Sequence, residues 1–149
     1  TEAVRYAAAL LMPPKWFGKA VWRTPMTLEG LLNLAAQFGV SVTAAAFQAI
    51  RLTHEAVAVV YMVHGVVRFQ RMTDDFRETV GPATAILEWI GDAAIASRLR
   101  HTKEVGMVRK GTVPASAWLD RPQVAEVHEQ SMVTHPDHVL TLLTPVEED

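Results

Sequence analysis

The spacing of apolar positions changes once along the chain, close to residue 55. Before that point hydrophobic residues recur at helical intervals. Residues 2 to 12 are rich in Ala and Leu with no Gly or Pro, which predicts a helix stopped by Pro13-Pro14. Residues 14 to 26 mix Pro, Gly and the aromatics Trp16, Phe17 and Trp22, suiting either a short amphipathic helix or an aromatic-anchored loop. Thr27 then caps a helix whose stripe is Leu28, Leu31, Leu32, Ala35 and Ala36. Phe38-Gly39-Val40-Ser41 reads as a tight turn, with Gly39 as left-handed C-cap and Ser41 as the next N-cap. The following helix is predicted from Val42 to Thr53.

After Glu55 the runs become β-branched and aromatic. Val57 to Val63 and Val66 to Met72 flank His64-Gly65, a two-residue hairpin signal. Asp74 to Val80 is polar and fits no single period. Ala83 to Leu99 has helical spacing through Ile86, Ile90, Ala93, Ala94 and Ala96. A short strand is expected at Glu104 to Arg109, and Trp118 falls in a Pro-bounded loop. Val124 to Val133 and Val139 to Leu143 form a second hairpin around His135-Pro136-Asp137. The predicted class is α+β, helical to about residue 54 and then a unit of two hairpins flanking a helix.

Composition narrows this little. Half of the 149 residues are hydrophobic and a fifth are charged, the balance of a folded globular chain. A net charge of −2 gives no global attraction to nucleic acid or an anionic membrane. With no cysteine, disulfides and thiolate metal sites are excluded, and a cytoplasmic setting is expected. No apolar run approaches the roughly 20 residues that span a bilayer. Because Thr1 stands inside a helical pattern that is already running, the chain is expected to be a piece of a longer protein.

The stretch Glu2-Ala3-Val4-Arg5-Tyr6-Ala7-Ala8-Ala9-Leu10-Leu11-Met12-Pro13 resembles the segment after the zinc-binding helix in ImmA/IrrE metallopeptidases. There a Glu-Ala pair opens an apolar helix ending in Leu-Leu-Met-Pro. The resemblance implies that Glu2 is the third zinc ligand, beside two histidines of a His-Glu-x-x-His helix. Two imidazoles and a carboxylate leave the fourth tetrahedral position for a water that zinc acidifies. The ordinary alternative for Glu2 is an exposed first-turn carboxylate paired with Arg5.

His-Glu-x-x-His itself is absent. His54-Glu55 is followed by Ala58 at the required position, and His128-Glu129 by Met132. The chain therefore holds no catalytic residue, and alone it is expected to be inactive. The remaining ligands are expected in a missing N-terminal peptidase segment.

Leu28 to Leu52 resembles both the leucine-rich helix, Phe-Gly-Val-Ser and Ala-rich helix of the same family and a generic helix-turn-helix. Reading DNA would fall to Thr43, Gln48 and Arg51, with little Lys or Arg nearby to hold phosphates. Packing on a protein is the competing use of this pair. Residues after Val57 look like the GAF-like sensor domain of IrrE-type radiation- and desiccation-response regulators. A ligand pocket there would use Tyr61, Phe69, Trp89 and Trp118, although aromatics at such spacing commonly serve as core. The basic stretch Arg98, Arg100, His101, Lys103, Arg109, Lys110 suits an anion or acidic partner, or simply a solvated face. His135 and His138 raise a metal site, or an exposed turn.

The expected organisation is thus a C-terminal peptidase helix region (1–26), a helix-turn-helix-like region (27–54) and a GAF-like domain (55–149). The resemblance implies that the parent protein is a zinc-dependent metalloendopeptidase. It would control a radiation or desiccation stress response by cleaving an XRE-type helix-turn-helix repressor and so releasing the response genes. A DNA-binding regulator and a ligand-sensing module are the alternatives.

Overall fold

The computed structural model describes residues 14–147, so Glu2 and the rest of 1–13 lie outside the described residues. The chain divides between Glu55 and Ala56 into two compact units.

The first unit is helical: α1 (Pro14–Trp22), α2 (Leu28–Phe38) and α3 (Val42–Ala49). Local chemistry sets the boundaries. The Thr27 hydroxyl accepts from Gly30 N at 3.0 Å, and Ser41 Oγ accepts from Ala44 N at 3.1 Å, so both helices start on side-chain caps. Gly39 at φ +66° ends α2, its N–H bonding the Ala35 carbonyl. The axes of α2 and α3 turn by 106°, within the range of helix-turn-helix pairs. Leu28, Leu31, Leu34, Ala45, Ala46 and Ala49 are buried, and Phe17 packs edge-on to Phe38 at 5.0 Å between ring centres. No single helix among the described residues is long and apolar enough to cross a membrane.

The α3 helix stops four residues short of the expected Thr53. Arg51, Leu52 and Thr53 turn back with N–H bonds to Gln48 and Ala49, which brings the Leu52 carbonyl to the Trp22 indole N–H at 2.8 Å. His54 stacks on Trp22 with 5.3 Å between ring centres, and the Glu55 carboxylate accepts from Met26 N. Here the His-Glu pair closes the helical unit.

The second unit is built on an antiparallel sheet, which makes the chain α+β. Its long strands are β1 (Ala58–Val63), β2 (Val66–Met72), β4 (Val108–Pro114), β6 (Glu126–His135) and β7 (His138–Pro145), in the spatial order β2-β1-β7-β6-β4. The short strands β3 (Ala85–Ile86) and β5 (Leu119–Asp120) pair separately. Between β2 and β4 run α4 (Asp74–Val80), β3 and α5 (Ile95–Leu99), and a single 3-10 turn (Ala115–Ala117) follows β4. Both hairpins turn where expected, with left-handed backbone at His64, Gly65 and Asp137. An extra residue opposite Tyr61 and Met62 makes a bulge in β2.

One sheet face holds Ala58, Val60, Met62, Val127, Val133, Val139 and Leu143, which pack with Phe76, Val80, Trp118 and Leu119. The other carries Val59, Met132, Leu140 and Leu142, also buried. Central β1 and β7 are therefore buried on both faces, which is why they read as continuous apolar runs.

Ala83 to Leu99 departs most from expectation, since only Ile95 to Leu99 is helical. The intervening backbone bonds outward to other segments: Leu87 N to the Trp118 carbonyl, Gly91 N to that of Ala117, and the Glu88 carbonyl to Val67 N. A helix would bury the same apolar residues but forfeit these partners. The strand expected at 104–109 forms at 108–114 instead, where it can pair in full with β6.

Gly39→Ala should destabilise the chain by about 1 kcal/mol. No atom lies within 4 Å of the added Cβ, so only the left-handed backbone is penalised. Urea unfolding read by tryptophan fluorescence checks this, and an unchanged midpoint would refute it.

Candidate functional site

The strongest concentration of buried polar groups lies on the core face of β6. Strand alternation points Val127, Glu129, Ser131 and Val133 inward, so a carboxylate and a hydroxyl enter an otherwise apolar layer. Glu129 is 1 % exposed. It accepts hydrogen bonds from Ile95 N at 2.9 Å, Ala96 N at 2.8 Å, Trp118 Nε1 at 2.7 Å and Ser131 Oγ at 2.6 Å. Ser131 in turn lies 2.6 Å from Thr141 Oγ1 on β7.

The first two donors are unsatisfied N–H groups at the start of α5, whose N-cap Ala94 has no side chain able to accept them. Glu129 supplies from another strand the cap that the local sequence lacks. The network therefore fixes α5 and Trp118 against the sheet.

Beside it runs a groove of about 590 Å³ between α5 and β4. Ile95, Leu99 and Val113 form its apolar part, and Arg98 and Arg109 stand at its rim. Gly111 lets the helix approach the strand, because a Cβ there would come 3.1 Å from Ile95 Cδ1.

The aromatics proposed to line one pocket do not come together. Trp118 is fully buried on the core face, its indole spent on Glu129. Tyr61 and Phe69 are cross-strand neighbours on the opposite face, with ring centres 6.5 Å apart and Phe69 60 % exposed. Trp89 is exposed, held by its backbone bridge to Val66. The alternation of side chains in β1, where Val60 and Met62 enter the core, sends Tyr61 away from Trp118.

Of the residues assigned to DNA reading, Gln48 is buried at 6 % exposure and withdrawn from any recognition surface. Its place on α3 is one where a core residue belongs, and packing within the helical unit takes it. Thr43 is half-buried, and Arg51 is exposed in the turn after α3. Only Arg51 keeps an open approach, and one arginine is thin material for phosphate anchoring.

The hairpin tips gather His64, His135, Asp137 and His138. Tyr61 hydroxyl hydrogen-bonds His138 Nδ1, and His138 lies 5.4 Å from His135 and 6.4 Å from His64 between ring centres. Among the described residues no group of three or more His, Asp or Glu side chains is placed to hold a metal ion. Glu2, the zinc ligand implied by the resemblance, lies outside the described residues.

Sequence reading missed Glu129, treating it only as part of a failed His-Glu motif. The available signal was a charged residue in an inward register of an alternating strand, which requires buried donors. No protein-family model matches the chain, and no curated protein matches it in sequence.

Replacing Glu129 by Leu should cost about 3 kcal/mol or more, since four donors, two of them backbone, lose their acceptor. Trp118→Phe, which removes a single donor, should cost about 1–3 kcal/mol. Denaturant unfolding of both variants checks the order, and equal or negligible losses would contradict the network's role.

Proposed function

We propose that this chain is the C-terminal part of a regulatory zinc endopeptidase of the ImmA/IrrE kind, which cleaves a helix-turn-helix repressor in the cytoplasm. The observation carrying this reading is the sequence Glu2 to Pro13 joined to a helix pair and then to a sheet module. The long strands of that module, numbered one to five in chain order, lie 2-1-5-4-3 in one antiparallel sheet. In this reading Glu2 completes a zinc site whose histidines and general base belong to an upstream segment. One carboxylate beside two imidazoles suits a tetrahedral site that keeps one position for water.

The helix pair then serves as a protein-packing element rather than a DNA reader. Support comes from its capped geometry together with the burial of Gln48 and the scarcity of exposed cations near α3. The sheet module positions or regulates. Its core is filled by Trp118, which favours action at its surface over enclosure of a ligand among the four aromatics.

The test uses the full-length protein, including a His-Glu-x-x-His segment. Glu2→Ala should reduce bound zinc well below one equivalent and slow repressor cleavage by on the order of 100-fold or more. Metal analysis and a cleavage time course read this. Full zinc occupancy with undiminished cleavage would overturn the assignment.

A further inference from the structure

We propose that the groove between α5 and the outer edge of β4 is a docking site for an extended, carboxylate-bearing segment of a protein partner, bound as an added strand. Nothing in this inference depends on the peptidase reading.

β4 ends the sheet, pairing with β6 on one side and with no other strand among the described residues. Val133 N bonds the Met107 carbonyl and Gly106 N bonds the Val133 carbonyl, while Ala115 N bonds the Ala125 carbonyl. In an antiparallel ladder the inward-bonding residues alternate, so Arg109, Gly111 and Val113 spend their backbone groups on β6. Val108 and Thr112 must direct theirs to the outer side. The Val108 carbonyl already accepts from Arg109 Nη1 at 2.8 Å, which confirms that direction.

The opposite edge is managed differently. At β2, Val67 N bonds the Glu88 carbonyl and Val66 bridges to Trp89, so the chain covers part of that edge itself. At β4 the exposed residues Arg109, Gly111 and Thr112 adjoin an apolar trough. An added strand would meet donors and acceptors along its backbone, and its alternate side chains would face Ile95, Leu99 and Val113.

Charge selects the partner. Arg98 on α5 and Arg109 on β4 flank the trough, and no Asp or Glu lines it. Carboxylates on the incoming segment would therefore be favoured and cations repelled. The backbone pattern argues for a peptide over a nucleic acid, because phosphates accept hydrogen bonds but cannot donate to an outward carbonyl.

The probe is a short fluorescent peptide alternating valine and glutamate, titrated against the whole chain by fluorescence anisotropy. The expected result is saturable binding, weakened at least about tenfold when lysine replaces glutamate or when Arg98→Glu and Arg109→Glu are combined. Thr112→Pro removes an outward N–H and leaves the backbone ladder to β6 in place; the 2.9 Å contact of Thr112 Oγ1 with His128 Nδ1 is lost equally in Thr112→Ala. Thr112→Pro should therefore weaken binding about tenfold or more, while Thr112→Ala changes it little. If Thr112→Pro alters the circular dichroism spectrum, an N-methylated version of the acidic peptide makes the same test from the ligand side and should lose binding. Failure of the acidic peptide to bind would overturn the proposal. So would equal binding of its N-methylated form, or tighter binding of an RNA oligonucleotide of similar length.

Discussion

A carboxylate can sit almost wholly out of water in a protein core only where donors replace its hydration. Glu129 meets that condition through two backbone N–H groups at the start of α5, the Trp118 indole and the Ser131 hydroxyl, three separate places in the second unit. The constraint is mutual. Ile95 and Ala96 lack a cap without Glu129, and Glu129 is intolerable without them. The position of α5, the orientation of Trp118 and the polar contact between β6 and β7 at Ser131 and Thr141 all follow from satisfying this one group.

Its consequence reaches the surface. Glu129 holds the N-terminus of α5 over the sheet, and residues of α5 and β4 line the groove between them. Gly111 completes the arrangement by leaving room for Ile95. A buried charge thus shapes an outer edge that bears cations and outward backbone groups. The tips of the hairpins, where three histidines gather, are organised separately by left-handed turns and the bond from His64 N to the Asp137 carbonyl.

The helical unit is held in a different manner. Its stability is local and apolar: two side-chain caps, a glycine turn, a leucine stripe against alanines, and a return of the chain through Leu52, His54 and Glu55 onto Trp22 and Met26. Residues that looked available for chemistry, Gln48 and the His54-Glu55 pair, are occupied in that packing.

Local sequence determined a good deal. Thr27, Gly39 and Ser41 marked helix ends because capping is decided by one residue and its own backbone neighbours. His64-Gly65 and Pro136-Asp137 marked turns for the same reason, and the β-branched runs marked β1, β2, β6 and β7. Tertiary structure decided the rest. Residues 83 to 94 have helical spacing, yet bond to Trp118, Ala117 and Val67, partners far away in sequence. The four aromatics were separated by the alternation of a strand whose inward register only the completed sheet defines. Glu129 became a cap because β6 lies beneath α5, and no rule acting within a few residues could have joined position 129 to position 95. Spacing reports local geometry, whereas a buried polar group is answered by whatever the fold brings to it.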